Sequence, residues 1–175
     1  TIEKKKNILF GRAVVHQKQR IEFYKKYFDN DLCDLGQINK GTTHDEWYKK
    51  KASLDHHLKH KFILCIEGND VASNLKWVMS SNSVAVMPKP KFESWFMEDM
   101  LIPDYHYIHI KDDYSDLEKK LKFYIKNTEK LQQISINANN YVDQFRDYND
   151  EKLISLLVME KFFCLTNQKK SLIDF

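Results

Sequence analysis

A chain of 175 residues, 42% of them apolar, is long enough for one domain with a real core and too apolar to be disordered. Its 28 lysines and arginines against 25 acidic residues leave a formal charge of +3, too mild to call for nucleic acid as a partner. No apolar run approaches the roughly 20 residues that span a bilayer, the start "TIEKKKNILF" has no signal-peptide core, and the scattered Cys33, Cys65 and Cys164 read as reduced core residues.

With only 4 glycines and 3 prolines, boundaries must come from changes in apolar period. "NILFGRAVV" (7 to 15) reads as a first strand, and "QKQRIEFYKKYF" (17 to 28), with Ile21, Tyr24 and Phe28 at helical spacing, as the helix after it. "DLCDLG" is a brief second strand, followed by a polar stretch from 40 to 60 with short helices around Trp47 and Leu54 to Leu58. "KFILCIEG" (61 to 68) is a continuous apolar run of the kind that forms a central parallel strand. A helix is expected over 72 to 81, then a strand over 83 to 87. "FESWFMEDML" reads as a helix, "YHYIHI" as an alternating strand, and "SDLEKKLKFYIKN" as a helix opened by a capping box from Ser115 to Glu118. Two helices, roughly 129 to 146 and 150 to 165, close the chain, the second with a Leu153, Leu157, Met159 and Phe163 stripe.

Strands alternating with helices predict an α/β fold, a Rossmann-like, mostly parallel sheet with helices on both faces over 1 to 126, and terminal helices over 127 to 175. Such sheets bind ligands at the carboxyl ends of their strands. The turn at Gly68 is the first to weigh. A glycine there tolerates positive φ and lets a ligand approach, while Asp70 or Ser73 can cap a helix whose first amides and dipole attract an anion. An ordinary capped turn explains the same residues. Lys76 lies within reach of an anion at that helix start. Arg12 interrupts an apolar strand end and needs a partner, and with Arg20 it offers the fork geometry that suits diphosphate oxygens. In "MPKPKFESWF", Pro88 and Pro90 hold a loop extended ahead of Glu93.

Other patterns carry less. His56 and His60 stand at i, i+4, but with no HExxH glutamate and no evident third ligand, so no metal site is expected. Asp29 to Asp31 reads as a turn, and the lysine triplets at 4 to 6 and 49 to 51 as solvated segments.

The stretch from "KFILCIEGNDVASNLKW" through "DDYSDLEKKL" (61 to 122), with "GRAVVHQKQR" before it and "LISLLVMEKFFCLT" after, resembles the carboxyl-terminal half of glycosyltransferase family 90, most of all its bacterial lipopolysaccharide branch. The resemblance implies the donor-binding half of a GT-B transferase. It implies a donor site formed by Arg12, Arg20 and the loop Asn69, Asp70, Val71, Ala72, Ser73 and Asn74, with Glu93 at the ribose, to which the reading of the turn adds Gly68 and Lys76. Eukaryotic relatives carry arginine where this chain has Asn74. It further implies inverting, metal-independent transfer from a nucleotide sugar, most simply a UDP-sugar, to lipopolysaccharide core or a related surface glycan. No other cofactor is expected. The base would come from an amino-terminal half expected to lie outside this chain, and the enzyme would work in the cytoplasm, peripheral to the inner membrane. The alternative is a non-catalytic nucleotide- or phosphate-binding module of the same fold.

Overall fold

The structure is a computed structural model that describes residues 1–168. Within them, strands β1 (Lys6–Ala13), β2 (Cys33–Gln37), β3 (His60–Leu64), β4 (Val84–Met87) and β5 (Ile108–His109) form one all-parallel sheet in the order β2-β1-β3-β4-β5. Between them run α1 (Lys18–Tyr27), α2 (Leu54–His57) and α3 (Leu75–Met79), and after β5 come α4 (Leu117–Lys126), α5 (Thr128–Asp143) and α6 (Tyr148–Leu165). Contacts divide the chain into a compact unit Thr1–Tyr141 and a second beginning at Val142.

Alternation along each strand sorts side chains between two faces. Leu9, Leu35, Phe62, Leu64, Val84, Val86 and Ile108 share a buried cluster with Phe23 and Tyr24 of α1, Leu117 and Leu121 of α4, and Leu131 and Ile134 of α5. Each such fully buried side chain contributes about 1.5–3 kcal/mol of transfer free energy. Phe10, Ile63 and Ala85 are in register on the opposite face and equally buried. Every residue of β3 is buried, as the continuous apolar run predicts for a central strand.

Five local expectations differ. The strand at 61 to 68 stops at Leu64, and the helix expected over 72 to 81 covers only Leu75–Met79, with Asn74 at its N-cap and no side-chain cap from Ser73 or Asp70. Residues 92 to 101 form one 3₁₀ turn, Glu98–Met100, because Glu98 turns inward to Ser94 and Lys76 and Met97 takes φ 52°. "YHYIHI" pairs only through Ile108–His109. The capping box does not form: Asp116 is the N-cap of α4, and Glu118 instead accepts from Asn30 and Lys122.

The two terminal helices behave differently. Leu131, Ile134 and Ala138 of α5 are buried, whereas α6 buries none of its residues, Leu153, Leu157 and Met159 included.

Candidate functional site

In the strand order 2-1-3-4-5 the winding direction reverses between β1 and β3, so the turns leaving those strands open a crevice at the carboxyl edge of the sheet. Side chains of α1 hold the turn after β3 from below. Gln19 Nε2 donates to the carbonyls of Glu67 (3.3 Å) and Gly68 (2.6 Å). Arg20 donates to the carbonyls of Val14 (2.9 Å), Ile66 (2.9 Å) and Glu67 (3.2 Å), which ties both turns together. Burial pulls the Arg20 pKa below its usual value.

Gly68 does not have positive φ, and the space beside it is what matters. A Cβ on it would stand 3.1 Å from Arg20 Nη2 and 3.3 Å from Gln17 Nε2, so the glycine lets α1 side chains approach the backbone. The Gly68 amide donates to Asp70 O (3.0 Å) and the Val71 amide to Asp70 Oδ1 (2.6 Å). Among the described residues, no acceptor pairs with the amides of Asn69, Asp70, Ala72, Ser73 or Asn74, which leaves this run of donors unused within the fold. Asn74 Nδ2 donates to Leu64 O at 2.9 Å and fixes the far end of the turn to the end of β3.

Arg12 has the partner that its position demands. Its guanidinium donates to Gly11 O (2.9 Å), Asp34 O (2.8 Å) and Asp34 Oδ1 (2.9 Å) and lies 4.3 Å from the centre of the Phe10 ring. Burial alone would raise the Asp34 pKa, but hydrogen bonds from Lys49 and Arg12 outweigh it and hold the carboxyl below its usual range.

Two cavities flank the turn, and Ile66 lines both. One, ≈ 260 Å³, brings together Arg12, Arg20, Ser73 and Asn74. The other, ≈ 380 Å³, lies between Gly68, Ala72, Gln19 and the loop Pro88 to Phe92. Its lip is held by Glu67, whose Oε1 accepts from the amides of Lys91 (2.9 Å) and Phe92 (3.0 Å). Asn69 and Asp70 are exposed on the turn, and Val71 is half-buried.

Two expected site residues stand elsewhere. Lys76 lines neither cavity; its ammonium is 2.6 Å from Glu98 Oε1 and 3.0 Å from Ser94 Oγ. Glu93 is exposed and lines neither.

A family model, Glycosyl transferase family 90, matches residues 5–153. The chain belongs to that family. Among curated proteins, this family 90 chain is 38% identical over 161 residues to an O-glucosyltransferase LpsA of Dichelobacter nodosus, covering 92% of the chain and 51% of that protein. It is 29% identical over 119 residues to the uncharacterized protein 179R of Invertebrate iridescent virus 6, covering 63% of the chain and 10% of that protein. The chain therefore spans about half the length of the first of these curated relatives and a tenth of the second. Among solved structures it is similar to the C-terminal domain of a glycosyl transferase group 1 family protein, LpcC, from Francisella tularensis. That similarity has a TM-score of 0.52 at 13% identity and covers 81% of this chain and 87% of the other. It shows a shared fold, the mostly parallel sheet with helices expected from the alternating strands and helices and the second GT-B half that the resemblance implies.

Of the residues the sequence singled out, Arg12, Arg20, Gly68, Ala72, Ser73 and Asn74 line one of the two cavities, Asn69, Asp70 and Val71 line neither, and the sequence reading did not single out Gln19, Glu67 and Glu98. Glu67 had a signal: an acidic residue ending an apolar strand beside a glycine needs donors as much as Arg12 needs acceptors.

Proposed function

We propose that the unit Thr1–Tyr141 binds the nucleoside diphosphate of a sugar donor, with the diphosphate over the turn Gly68 to Asn74 and beside Arg12 and Arg20. The observation that carries this reading is the run of unpaired amides at the β1/β3 crevice, whose last two residues, Ser73 and Asn74, line a cavity with Arg12 and Arg20. Backbone amides cost no reorganisation when negative charge grows on a leaving diphosphate, and in a partly desolvated crevice they stabilise it more than water does. Arg12 and Arg20 spend some of their N–H groups on Asp34 and on carbonyls, so they act as fixed, pre-oriented charges rather than as mobile clamps.

The reaction we infer is inverting, metal-independent glycosyl transfer from a nucleotide sugar, most simply a UDP-sugar. The acceptor is lipopolysaccharide core or a related surface glycan at the cytoplasmic face of the inner membrane. The relative named as an O-glucosyltransferase supports a hexosyl donor. Inverting transfer also needs a base at the acceptor hydroxyl, and we assign that role to an amino-terminal half paired with this one. No described helix is long and apolar enough to cross a membrane.

Isothermal titration of the chain with UDP, UDP-glucose and other nucleotide sugars tests the reading. Saturable binding is expected, weakened roughly tenfold by Arg12→Ala, the cost of about 1.4 kcal/mol for one charge-assisted contact. Absence of binding to every nucleotide sugar, or undiminished binding by Arg12→Ala, overturns it.

A further inference from the structure

The ring of Phe10 is surrounded by three histidines. His60 stacks on it with centroids 4.4 Å apart, His57 meets it edge-on at 4.7 Å and His56 is tilted at 5.2 Å. Along the chain, His56 and His60 have the spacing of a metal pair without a third ligand. Folding supplies one: Asp34 of β2 comes beside them, and one donor atom from each of Asp34, His56 and His60 lies within 4.8 Å of the others. We propose that these three side chains hold a transition-metal dication, best matched by Zn²⁺, which fastens α2 and the start of β3 to β2.

The ligand atoms are oriented for this. His60 is only 2% exposed, and its Nδ1 lies 3.1 Å from the carbonyl of His56 and 3.3 Å from that of His57. A ring nitrogen facing two carbonyl oxygens carries the proton, which leaves the Nε2 lone pair for a metal; outer partners of this kind fix the tautomer of metal-bound histidines. Arg12 and Lys49 both use Asp34 Oδ1, each at 2.9 Å, so Oδ2 remains for coordination. The His56 ring makes no hydrogen bond among the described residues, whereas His57 Nδ1 is engaged with Ser53 O at 2.8 Å and its ring meets Trp77.

Two nitrogens and one carboxylate oxygen, with a fourth position for water, form a donor set that zinc accepts, while calcium and magnesium favour oxygen throughout. Metal bonds of about 2.0–2.2 Å would set tetrahedral ligand atoms roughly 3.5 Å apart. The cluster therefore closes by about an ångström on binding, a movement that the four-residue α2 can make. Arg12 and Lys49 oppose added positive charge and keep the affinity moderate. None of the three ligands lines either cavity of the crevice, although Asp34 also holds Arg12 of the donor site; metal binding is therefore read by cobalt absorption without nucleotide, and its failure leaves the donor-site reading standing.

The test is a Co²⁺ titration of the tag-free chain, followed by visible absorption and by displacement with Zn²⁺. One equivalent of Co²⁺ should give the visible bands of low-coordinate cobalt and be displaced by Zn²⁺. His56→Ala, on a short surface helix, should weaken binding roughly tenfold or more, and His57→Ala should leave it unchanged. Absence of bands at excess metal overturns the proposal. So does a Co²⁺ affinity that His56→Ala leaves intact, or one that His57→Ala lowers as much as His56→Ala does.

Discussion

At the scale of single residues, Lys76 and Glu98 show how a charge expected at a site can be held by a partner of its own. Glu98 is 1% exposed, and its carboxylate accepts from Lys76 Nζ (2.6 Å), from the Ser94 amide (2.7 Å) and from the Ser94 hydroxyl. Burial acts to raise the Glu98 pKa, but those hydrogen bonds from Lys76 and Ser94 outweigh it and hold the carboxyl below its usual value. Removing the lysine would leave a buried carboxylate with a single neutral partner residue, a change that costs about 3–5 kcal/mol in buried pairs. Lys76→Met should therefore lower unfolding stability in urea by about 3 kcal/mol while leaving nucleotide affinity unchanged; a weakened affinity at undiminished stability would return Lys76 to the crevice. Gly36 is a second sensitive point, since a Cβ there would sit 2.6 Å from Lys49 Cβ and 2.9 Å from Arg12 Cδ. Neither neighbour can retreat without losing Asp34, so Gly36→Ala should cost about 1–3 kcal/mol in the same measurement. What the sequence made legible here was need rather than partner. An arginine at a strand end demands an acceptor, but that the acceptor is Asp34, 22 positions away, follows only once β2 lies beside β1.

At the scale of elements, apolar period located all five strands and the longer helices; all of these but α6 bury one face or both, and little else decides them. It failed where a polar contact outweighed the period. Residues 92 to 101 have helix-like spacing, yet Pro88 and Pro90 extend the entry, Glu67 takes the amides of Lys91 and Phe92, and Ser94 and Lys76 draw Glu98 inward. The Ser115–Glu118 box failed for a similar reason: Asp116 takes the cap position and accepts from the Lys111 amide, while Glu118 finds side-chain partners. Where a cap does form, it should be measurable. Asp147 Oδ1 accepts from the amides of Asn149 (2.8 Å) and Asp150 (3.2 Å) at the start of α6, a helix without buried residues to support it. Asp147→Ala should destabilise that helix by about 1 kcal/mol. The loss should be read as roughly fivefold faster amide exchange in its first turn, with exchange in β3 unchanged.

For the whole molecule, the buried titrating groups point the same way in acid. His106 is 9% exposed, and its Nδ1 accepts from the Ile102 amide at 3.0 Å, so protonation there would break a bond as well as bury a charge. Burial accordingly lowers its pKa below 6.5. A lowered histidine stabilises the fold fully above its unfolded pKa, and that contribution fades as pH falls through the folded value. Glu98, also lowered, contributes above its unfolded value of 4.5 and loses the contribution at more acid pH still. On the alkaline side, burial raises Tyr24, Tyr114 and Tyr141 from 10.0 to about 12, so their contribution holds below pH 10 and is lost as pH climbs through about 12. The fold should therefore melt at nearly constant temperature across neutral pH and fall in two steps on acidification, one beginning near the histidine range and one in the carboxylate range. Thermal melts followed by circular dichroism, with a chelator present, check this. His106→Leu should melt lower throughout, because the Ile102 amide loses its acceptor, and should show a smaller first step than the parent chain. A first step of equal size in that variant would mean that His106 does not titrate with unfolding, and a rise in melting temperature between neutral pH and the first step would contradict the sign of every acid-side shift cited.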